Sequence, residues 1–221
     1  MATAANTSTN TAPKRRVQER TEITKLKLLS AAIKEFTERG FDAVTNREIE
    51  VRAKVQRGLV RYHFGEKANL WKAAGQHLME KWAKYRDQRA EIAVDLPPKE
   101  RLALRIRSFV RFSANNPALN RLMMLEGMHK SWRTSYLVEN FQLDNVADLK
   151  SLVSQIAPIS EENFFHWYYV FIGGCASIFC LTPEAKHLFG VDVTDDEIIR
   201  RHGQVMVDAL LNLAESPPDA Q

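Results

Sequence analysis

A short segment from Gln56 to Phe64 combines side chains that can bind nucleic-acid bases with side chains that can enter a core. Arg and Gln can each form two hydrogen bonds with the edge of one base, and the segment carries Gln56, Arg57 and Arg61. Val60 and Phe64 are one helical turn apart, so a helix would place them on one face. The segment therefore predicts a short helix with an apolar inner face and a basic outer face.

Two further helices are predicted immediately before this segment. The first, near residues 22–39, has apolar side chains at three- and four-residue steps and is followed by Gly40, a residue type common after helix ends. The second runs from Thr45 to about Ala53, because Thr45 and Glu48 have the spacing of a capping box. Three helices of this size, the last of them basic on its outer face, are what a helix-turn-helix needs to enter the major groove.

The charge of the chain is unevenly distributed. Residues 1–90 contain 19 Lys and Arg against 10 Asp and Glu, whereas residues 91–221 contain 12 against 17. The net charges of the two parts are therefore +9 and −5. A positively charged N-terminal part suits contact with phosphates, because phosphate neutralisation supplies much of the affinity for nucleic acids.

Helical periodicity continues through the rest of the chain. No convincing run alternates between apolar and polar residues, and Gly and Pro fall between the periodic segments. We therefore predict an all-α fold of about nine helices. The six helices after the third are expected near residues 67–92, 99–114, 117–127, 132–156, 161–181 and 195–214. Thr194 and Glu197 have the spacing of a second capping box, at the start of the last helix.

The sequence argues against several classes of function. It contains none of the common nucleophile, metal or phosphate-loop motifs, so we predict no enzyme activity, no metal site and no cofactor. Cys175 and Cys180 match no common zinc spacing and are expected to be reduced and buried. The apolar run from Phe164 to Leu181 is interrupted by His166, which favours a buried helix over a membrane span. No secretory signal is recognisable, so a cytoplasmic protein is expected.

The stretch from Leu28 to Leu70 resembles the N-terminal signature of TetR/AcrR transcription regulators. The matching residues are Ala31, Ala32, Phe36, Gly40, Phe41, Thr45, Ile49, Ala53, Val55, Gly58, Tyr62, His63, Phe64 and Lys67. The resemblance implies a DNA-binding helix-turn-helix domain joined to a helical domain that dimerises and senses a small molecule. Lys54, Gln56 and Arg61 stand where the family usually has a glycine, a small hydroxyl residue and an aromatic residue. The operator sequence therefore does not follow from the resemblance.

The resemblance also implies which residues contact DNA. The third helix would lie in the major groove, and the residues expected to contact phosphates are Thr45, Tyr62, His63 and Lys67. The residues expected to face the DNA are Arg47, Gln56, Arg57, Gly58, Leu59 and Arg61. Lys14, Arg15 and Arg16 could reach a minor groove as an arm, although a solvated tail is the alternative.

In the second half of the chain, residues 109–126, 173–179 and 188–191 resemble a common regulatory-domain subtype of the same family. In such proteins the last two helices of each subunit form a four-helix dimer interface. The residues expected there are Gly173, Gly174, Ile198, Val205, Met206, Ala209, Leu210 and Leu213. A two-fold dimer would place two recognition helices about 34 Å apart and would require a palindromic operator.

A ligand pocket is expected where the fourth, fifth, sixth and eighth predicted helices meet. Its candidate lining residues are Leu78, Trp82, Phe112, Met124, Met128, Phe171 and Cys175, each of which could equally belong to an ordinary core. Arg121, Glu126, His129 and His166 are polar candidates that could orient a ligand. The mechanism hypothesised is that a bound ligand tilts the fourth helix and lowers operator affinity.

These expectations define a domain plan and its alternatives. The plan is a disordered basic tail over residues 1–20, a helix-turn-helix domain over 21–66, a regulatory and dimerisation domain over 67–215, and a flexible tail over 216–221. The function predicted is a repressor that a small molecule releases from a palindromic operator. The alternatives are a protein of the same fold that binds DNA without an inducer, such as a chromosome-organising factor, and a scaffold that binds only protein.

Overall fold

The fold is entirely α-helical across residues 12–215, the part of the chain that the computed structural model describes, with side chains described from residue 18. This confirms the predicted fold class. The expected tails at residues 1–11 and 216–221 lie outside the described residues, as do the side chains of the possible arm, Lys14, Arg15 and Arg16.

The helices follow one another along the chain with short connections. They are α1 (Ala12–Arg39), α2 (Asn46–Arg52), α3 (Leu59–Phe64), α4 (Lys67–Glu91), α5 (Pro98–Asn115), α6 (Pro117–Gly127), α7 (Trp132–Leu137), a π-helical segment (Val138–Gln142), α8 (Leu143–Ser154), α9 (Glu161–Cys180), α10 (Thr182–Phe189) and α11 (Asp196–Glu215). The chain separates into two compact units, with the division inside α4 between Ala74 and Gly75.

In the first unit, α1 packs on α2 and α2 packs on α3. Phe36, Ile49 and Val60 are buried in its core, as their apolar pattern predicted. Ile23 and Leu26, which the same pattern placed on the inner face of α1, are exposed instead. Helix α1 begins at Ala12, so residues 12–20 are helical rather than disordered as the sequence suggested. The low apolar content of that segment did not predict its helical structure. Once the buried part of α1 around Leu28 has formed, adding turns toward the N-terminus costs little further free energy.

Helix α3 is shorter than the sequence indicated. It was expected to start at Gln56 but starts at Leu59, after Gly58. The backbone of Gly58 has a φ of 93°, a left-handed conformation that cannot lie inside a right-handed helix. Gln56 and Arg57 therefore belong to the turn between α2 and α3.

The helix predicted over residues 132–156 is broken in its first half by the π-helical segment. Two asparagine side chains bond to carbonyls four residues earlier: Asn140 Nδ2 donates to Tyr136 O at 2.8 Å, and Asn145 Nδ2 donates to Phe141 O. Such side-chain bonds compete with the regular backbone ladder and favour a local change of helix type. Periodicity alone could not reveal this break.

Two features near the C-terminus also differ from the prediction. Helix α10 was missed because Pro183 was interpreted as a break, although proline is well accommodated in the first turn of a helix. The capping box expected at Thr194 does not form, because the Thr194 hydroxyl donates to Asp192 Oδ1 at 2.6 Å. Asp195 Oδ1 accepts from the Glu197 amide at 2.8 Å instead, so the neighbouring carboxylate caps α11.

The core of the second unit is formed around α5, which packs on α9 and α11. The Trp167 indole donates to Leu210 O at 2.9 Å and ties α9 to α11. A cluster of aromatic rings joins α4, α5 and α9. Trp82 contacts Phe109 with a centroid separation of 5.1 Å, and Phe109 stacks on Phe171 at 4.9 Å.

No single helix among the described residues has the length and apolarity needed to cross a membrane. Helices α9 and α10 taken together are long and apolar enough to cross a membrane by length and composition alone, but they are bent by 76° at their junction.

Candidate nucleic-acid interface and ligand cavity

The residues predicted to contact DNA lie at the surface of α2, α3 and the adjoining turns. Tyr62 is 78% exposed. The other exposed members of this set are Thr45, Arg47, Gln56, Arg57, Gly58 and Arg61, and the half-buried members are Leu59, His63 and Lys67. Because α2 and α3 pack on each other, the first unit presents these polar side chains from neighbouring elements.

The arginines of the first unit fall into two groups. Arg39 and Arg52 are fixed by acids: Arg39 Nη1 lies 3.1 Å from Glu35 Oε2, and Arg52 Nε lies 2.6 Å from Glu35 Oε1. In the described part of the chain, Arg47, Arg57 and Arg61 make no ion pair within 4.0 Å. The second group therefore points its charge toward solvent, where phosphates or base edges could approach.

The turn between α1 and α2 is ordered by a capping box. The Glu48 amide donates to Thr45 Oγ1 at 3.3 Å, and Glu48 Oε2 accepts from the Thr45 amide at 2.8 Å. The hydrogen bonds from the Thr45 hydroxyl and amide, with Arg39 nearby, lower the pKa of Glu48 to about 2. The predicted box therefore forms, and it occupies the Thr45 hydroxyl that the sequence assigned to a phosphate.

Lys67 supports the same turn from the start of α4. Its ammonium donates to Phe41 O at 2.9 Å and to Val44 O at 2.8 Å, and it lies 4.1 Å from the centroid of the Phe41 ring. An ammonium has three donors, so these two bonds leave at most one for a phosphate. The sequence did not reveal this role, because the carbonyls lie 26 and 23 residues earlier in the chain.

Glu50 holds the start of α3 and was not identified from the sequence. Its side chain is buried, and Oε1 accepts from the amides of Gly58 at 2.8 Å and Val60 at 3.1 Å. A helix start leaves its first amides unpaired, and Gly58 has no side chain with which to cap them. The available signal was an acid directly after Ile49, the apolar core residue of α2, since buried carboxylates are rare without partners.

Tyr62 and His63 form an edge-to-face ring pair with a centroid separation of 4.8 Å. Partial burial, together with the nearby charge of Lys25, lowers the pKa of His63, while Glu22 opposes the shift. The lowered pKa favours the neutral form of the imidazole.

The second unit contains a cavity of about 500 Å³ that is mostly apolar. Aromatic and aliphatic residues of α4, α5, α6, α8 and α9 line it, together with residues of α7 and the π-helical segment. Its principal lining residues are Met79, Trp82, Arg105, Phe109, Leu119, Asn120, Met123, Met124, Glu126, Leu137, Phe141, Asn145, Leu149, Tyr168, Tyr169, Phe171 and Ile172. The volume lies within the range typical of small-molecule sites, about 300–1,000 Å³.

The structure brings together some of the predicted pocket residues. Trp82, Met124 and Phe171 line the cavity, as does the polar candidate Glu126. Leu78, Phe112 and Cys175 are buried but are not among its lining residues, and Met128 is 69% exposed. Of the remaining polar candidates, His129 and His166 are exposed and Arg121 is half-buried, and none of the three lines the cavity. Within the described residues no group of three or more His, Cys, Asp or Glu could hold a metal ion.

The residues predicted for the dimer interface divide between two faces of α11 and the middle of α9. Met206 and Leu210 are buried within this chain, and a Cβ at Gly174 would lie 2.3 Å from Met206 Cε, so that side chain would have to shift. Val205 is 61% exposed. Ala209 is exposed as well, while Ile198, Leu213, Gly173 and Gly174 are half-buried.

Residues 28–74 match the family model of bacterial regulatory proteins of the tetR family. The fold agrees over most of the chain with solved structures of such regulators. A TetR-like transcriptional regulator from Rhodococcus sp. RHA1 has 15% identity and a TM-score of 0.60, with 86% of this chain and 93% of that one covered. Residues 28–74 are therefore a domain of the tetR family, and the chain as a whole shares the fold of such regulators.

Other TetR-family structures support the same conclusion. A TetR-family transcriptional regulator from Streptomyces coelicolor has 16% identity and a TM-score of 0.61, with 94% of this chain and 98% of that one covered. The hemolysin II transcriptional regulator HlyIIR has 19% identity and a TM-score of 0.52, with 85% and 99% covered. At these identities the likeness concerns the fold. No curated protein matches the chain in sequence.

The chain thus combines a tetR-family N-terminal domain with the fold of solved TetR-family regulators. Its departures from the family pattern now have structural consequences. Lys54 stands at the usual turn glycine and has a positive φ of 54°. Gln56 stands at the usual hydroxyl cap, and the carboxylate of Glu50 caps α3 from α2 instead.

Proposed function

We propose that this protein is a homodimeric repressor that binds a palindromic operator and is released from it by a small molecule. It would act in the cytoplasm and carry no enzymatic activity. The observation that carries the DNA-binding part is the exposed surface of α2, α3 and their turns, because Arg47, Arg57 and Arg61 are exposed there. Structural ion pairs fix Arg39 and Arg52 elsewhere in the unit, so the exposed group is a plausible source of base and phosphate contacts.

The assignment of individual contacts follows from burial and hydrogen bonding. Arg57 and Arg61 would read base edges, and Leu59, which is half-buried, could contact a thymine methyl group. Tyr62 and His63 would position the unit on phosphates. Thr45 and Lys67 would act mainly by ordering the turn between α1 and α2. Any phosphate contact would use hydrogen-bonding capacity that the turn does not occupy.

Dimerisation through α9 and α11 is supported by a stripe on α11 that is exposed at Val205 and Ala209 and half-buried elsewhere. Ile198, His202, Val205, Ala209 and Leu213 recur at steps of three and four residues, so they lie along one side of the helix. The buried residues of α11 lie on another side and pack against α5 and α9. A two-fold copy would cover the stripe, and a single short recognition helix would bind an operator weakly.

Ligand response is supported by the cavity in the second unit. Helix α4 contributes Met79 and Trp82 to its wall, and the same helix continues back to Lys67 in the first unit. A ligand that binds one position of α4 better than another would shift the population of DNA-competent dimers. Operator affinity and ligand affinity would then be reciprocally coupled.

Selection of random duplex DNA by the purified protein, followed by sequencing, tests the DNA-binding part. The salt concentration must be near physiological, because salt controls non-specific binding. Enrichment of a palindrome is the expected result and supports a sequence-specific dimer. Many weak sites without a common sequence would favour a chromosome-organising factor, and no retention of DNA would favour the protein-binding scaffold.

Two matched variants test whether α3 and its turn read the selected operator. The change of Arg57 and Arg61 to Ala is expected to weaken operator binding by about tenfold or more per residue, since a bidentate base contact contributes about 1–3 kcal/mol of discrimination. Lys81 and Lys84 are exposed in α4, and changing both to Ala removes the same charge outside the proposed interface. Equal losses for the two double variants would contradict the assignment of α3.

Val205→Glu tests the dimer interface by light scattering coupled to size exclusion. A carboxylate buried at the centre of an apolar interface is strongly unfavourable, so the variant is expected to be monomeric and to lose operator binding. Val94→Glu introduces the same charge at a position that is 71% exposed in the turn after α4, and it is expected to remain dimeric. A dimeric Val205→Glu variant would contradict this interface.

A further inference from the structure

Arg105 is the one positively charged residue among those that line the cavity of the second unit, and Asp148, its ion-pair partner, is not a lining residue. Arg105 and Glu126 are the charged residues among its lining residues. Glu126 is already neutralised, because Arg133 Nε lies 2.7 Å from Glu126 Oε2 and both side chains are buried. Arg105 therefore sets the charge that a ligand in the cavity would meet.

The environment of Arg105 leaves its guanidinium poorly satisfied. Only 13% of the side chain is exposed, and the nearest carboxylate oxygen, on Asp148, lies 3.6 Å away on a side chain that is 69% exposed. Within the described residues the guanidinium makes no hydrogen bond, although its carbon lies 5.7 Å from the centroid of the Trp82 ring. Burial, with the charge of Arg86 nearby, lowers the pKa of Arg105 to about 10.

A buried guanidinium that has one long ion pair and no hydrogen bond among the described residues is costly, and the geometry of the group suits a particular further partner. Its five donors form a planar fork that matches the two oxygens of a carboxylate. A second donor of the cavity wall also lacks a partner: Asn120 is 5% exposed, and its Nδ2 makes no hydrogen bond within the described residues. The cavity thus offers unused donors in a mostly apolar surface, together with one buried acceptor that makes no hydrogen bond in the described part of the chain, Asn145 Oδ1.

We propose that the cavity binds an amphipathic carboxylate, with its apolar body among the aromatic side chains and its carboxylate on the Arg105 guanidinium. The body would lie against Trp82, Phe109 and Phe171, which form one continuous ring cluster. Met124 is 39% exposed and Tyr169 is 61% exposed, so the cavity reaches the surface through its own lining residues. This inference rests on the proposed ligand-binding role of the second unit and names the chemical class of the ligand.

Three probes with the same ten-carbon chain separate the head group from the apolar body. Decanoate, decanol and decylamine are titrated into the full-length protein by calorimetry, below their micelle concentrations and at neutral pH. Residues 91–221 carry a net charge of −5, whereas the full-length protein carries +4, so net charge alone does not decide between the anion and the amine. A preference for decanoate is therefore assigned to a local positive group only if it is lost when that group is removed.

Decanoate is expected to bind about tenfold or more tightly than decanol, because a hydrogen bond to a charged group contributes more than a neutral one. Decylamine is expected to bind most weakly. Arg105→Met preserves an unbranched apolar side chain at this position and is expected to remove the preference while leaving decanol affinity within about twofold. Arg107→Met is the control, since Arg107 is exposed on the same helix and donates to Gln204 Oε1 at 2.8 Å.

The outcomes distinguish this inference from the proposed function. Equal binding of decanoate and decanol, or a preference for decanoate that survives Arg105→Met, would overturn the carboxylate site and leave an apolar ligand cavity standing. Failure of all three probes to bind would overturn the carboxylate site together with the ligand-binding role of this cavity. The DNA-selection experiment is independent of both results.

Discussion

Replacing Glu50 by Ala is expected to loosen α3 without unfolding the rest of the protein. Glu50 belongs to α2, yet its Oε1 accepts from the Gly58 and Val60 amides at the start of α3. Truncation leaves both amides without this acceptor, and Gly58 cannot provide a side-chain substitute. The effect should therefore be concentrated in the six-residue helix from Leu59 to Phe64.

The magnitude follows from the burial of the two hydrogen bonds. Bonds to charged groups contribute about 1.5–3 kcal/mol, and the value falls when water can replace the lost partner. The bond to Val60 is buried and the bond to Gly58 is part-buried, so we assign about 2 and about 1 kcal/mol to them. Their loss should lower the free energy of opening of α3 by about 3 kcal/mol, a factor of roughly 150 in the opening equilibrium.

Amide hydrogen–deuterium exchange measures this equilibrium locally. Peptides that cover residues 56–64 are expected to exchange roughly 100-fold faster in Glu50→Ala, and about tenfold faster in Glu50→Gln, which keeps an acceptor oxygen but loses the charge. Glu66→Ala is the control, because Glu66 is exposed and its loss changes the net charge equally. Unchanged exchange across residues 56–64 in Glu50→Ala would refute the capping role of Glu50.

Three further predictions concern the first unit. Lys54→Gly should raise the free energy of unfolding by about 0.5–1 kcal/mol. Removing the strain of the left-handed conformation contributes more free energy than the added conformational entropy of the unfolded chain costs. A lower stability in urea unfolding would contradict this. Operator affinity should rise as the pH falls from about 8 to 6. The pKa of His63 is lowered in the free protein, and a bound phosphate would raise it, so binding takes up a proton. A His63→Gln variant with the same pH dependence would rule this out. The pKa of Glu48 is lowered to about 2, so its contribution to stability is present above its ordinary pKa and is lost as the pH falls toward 2. Acid titration of Glu48→Gln should therefore show a smaller loss of stability over that range than the parent protein, and identical acid titration curves would contradict the capping box.

The amino-acid sequence was sufficient to predict features that depend on residues close together in the chain. Apolar steps of three and four residues predicted the all-α fold, and the spacing of Thr45 and Glu48 predicted a capping box that forms. Arg57 and Arg61 were expected on a basic outer face and both are exposed, although Arg57 lies in the turn before α3 and not in the helix. Each of these features depends on contacts within about one helical turn, and such contacts form whenever the helix forms.

Tertiary structure decided the features that depend on which helix faces meet. Glu50 became the cap of α3 only because α2 packs beside it, and Lys67 reached the carbonyls of Phe41 and Val44 only because α4 returns to that turn. Trp82 and Phe171 line the cavity while Phe112, of the same type and in the same ring cluster, is buried in the core. Periodicity identifies the apolar side of a helix, but only packing determines whether a side chain on that side meets another helix or an open space. Packing also determines whether a charged side chain such as Arg105 lies beside an acid or beside a cavity.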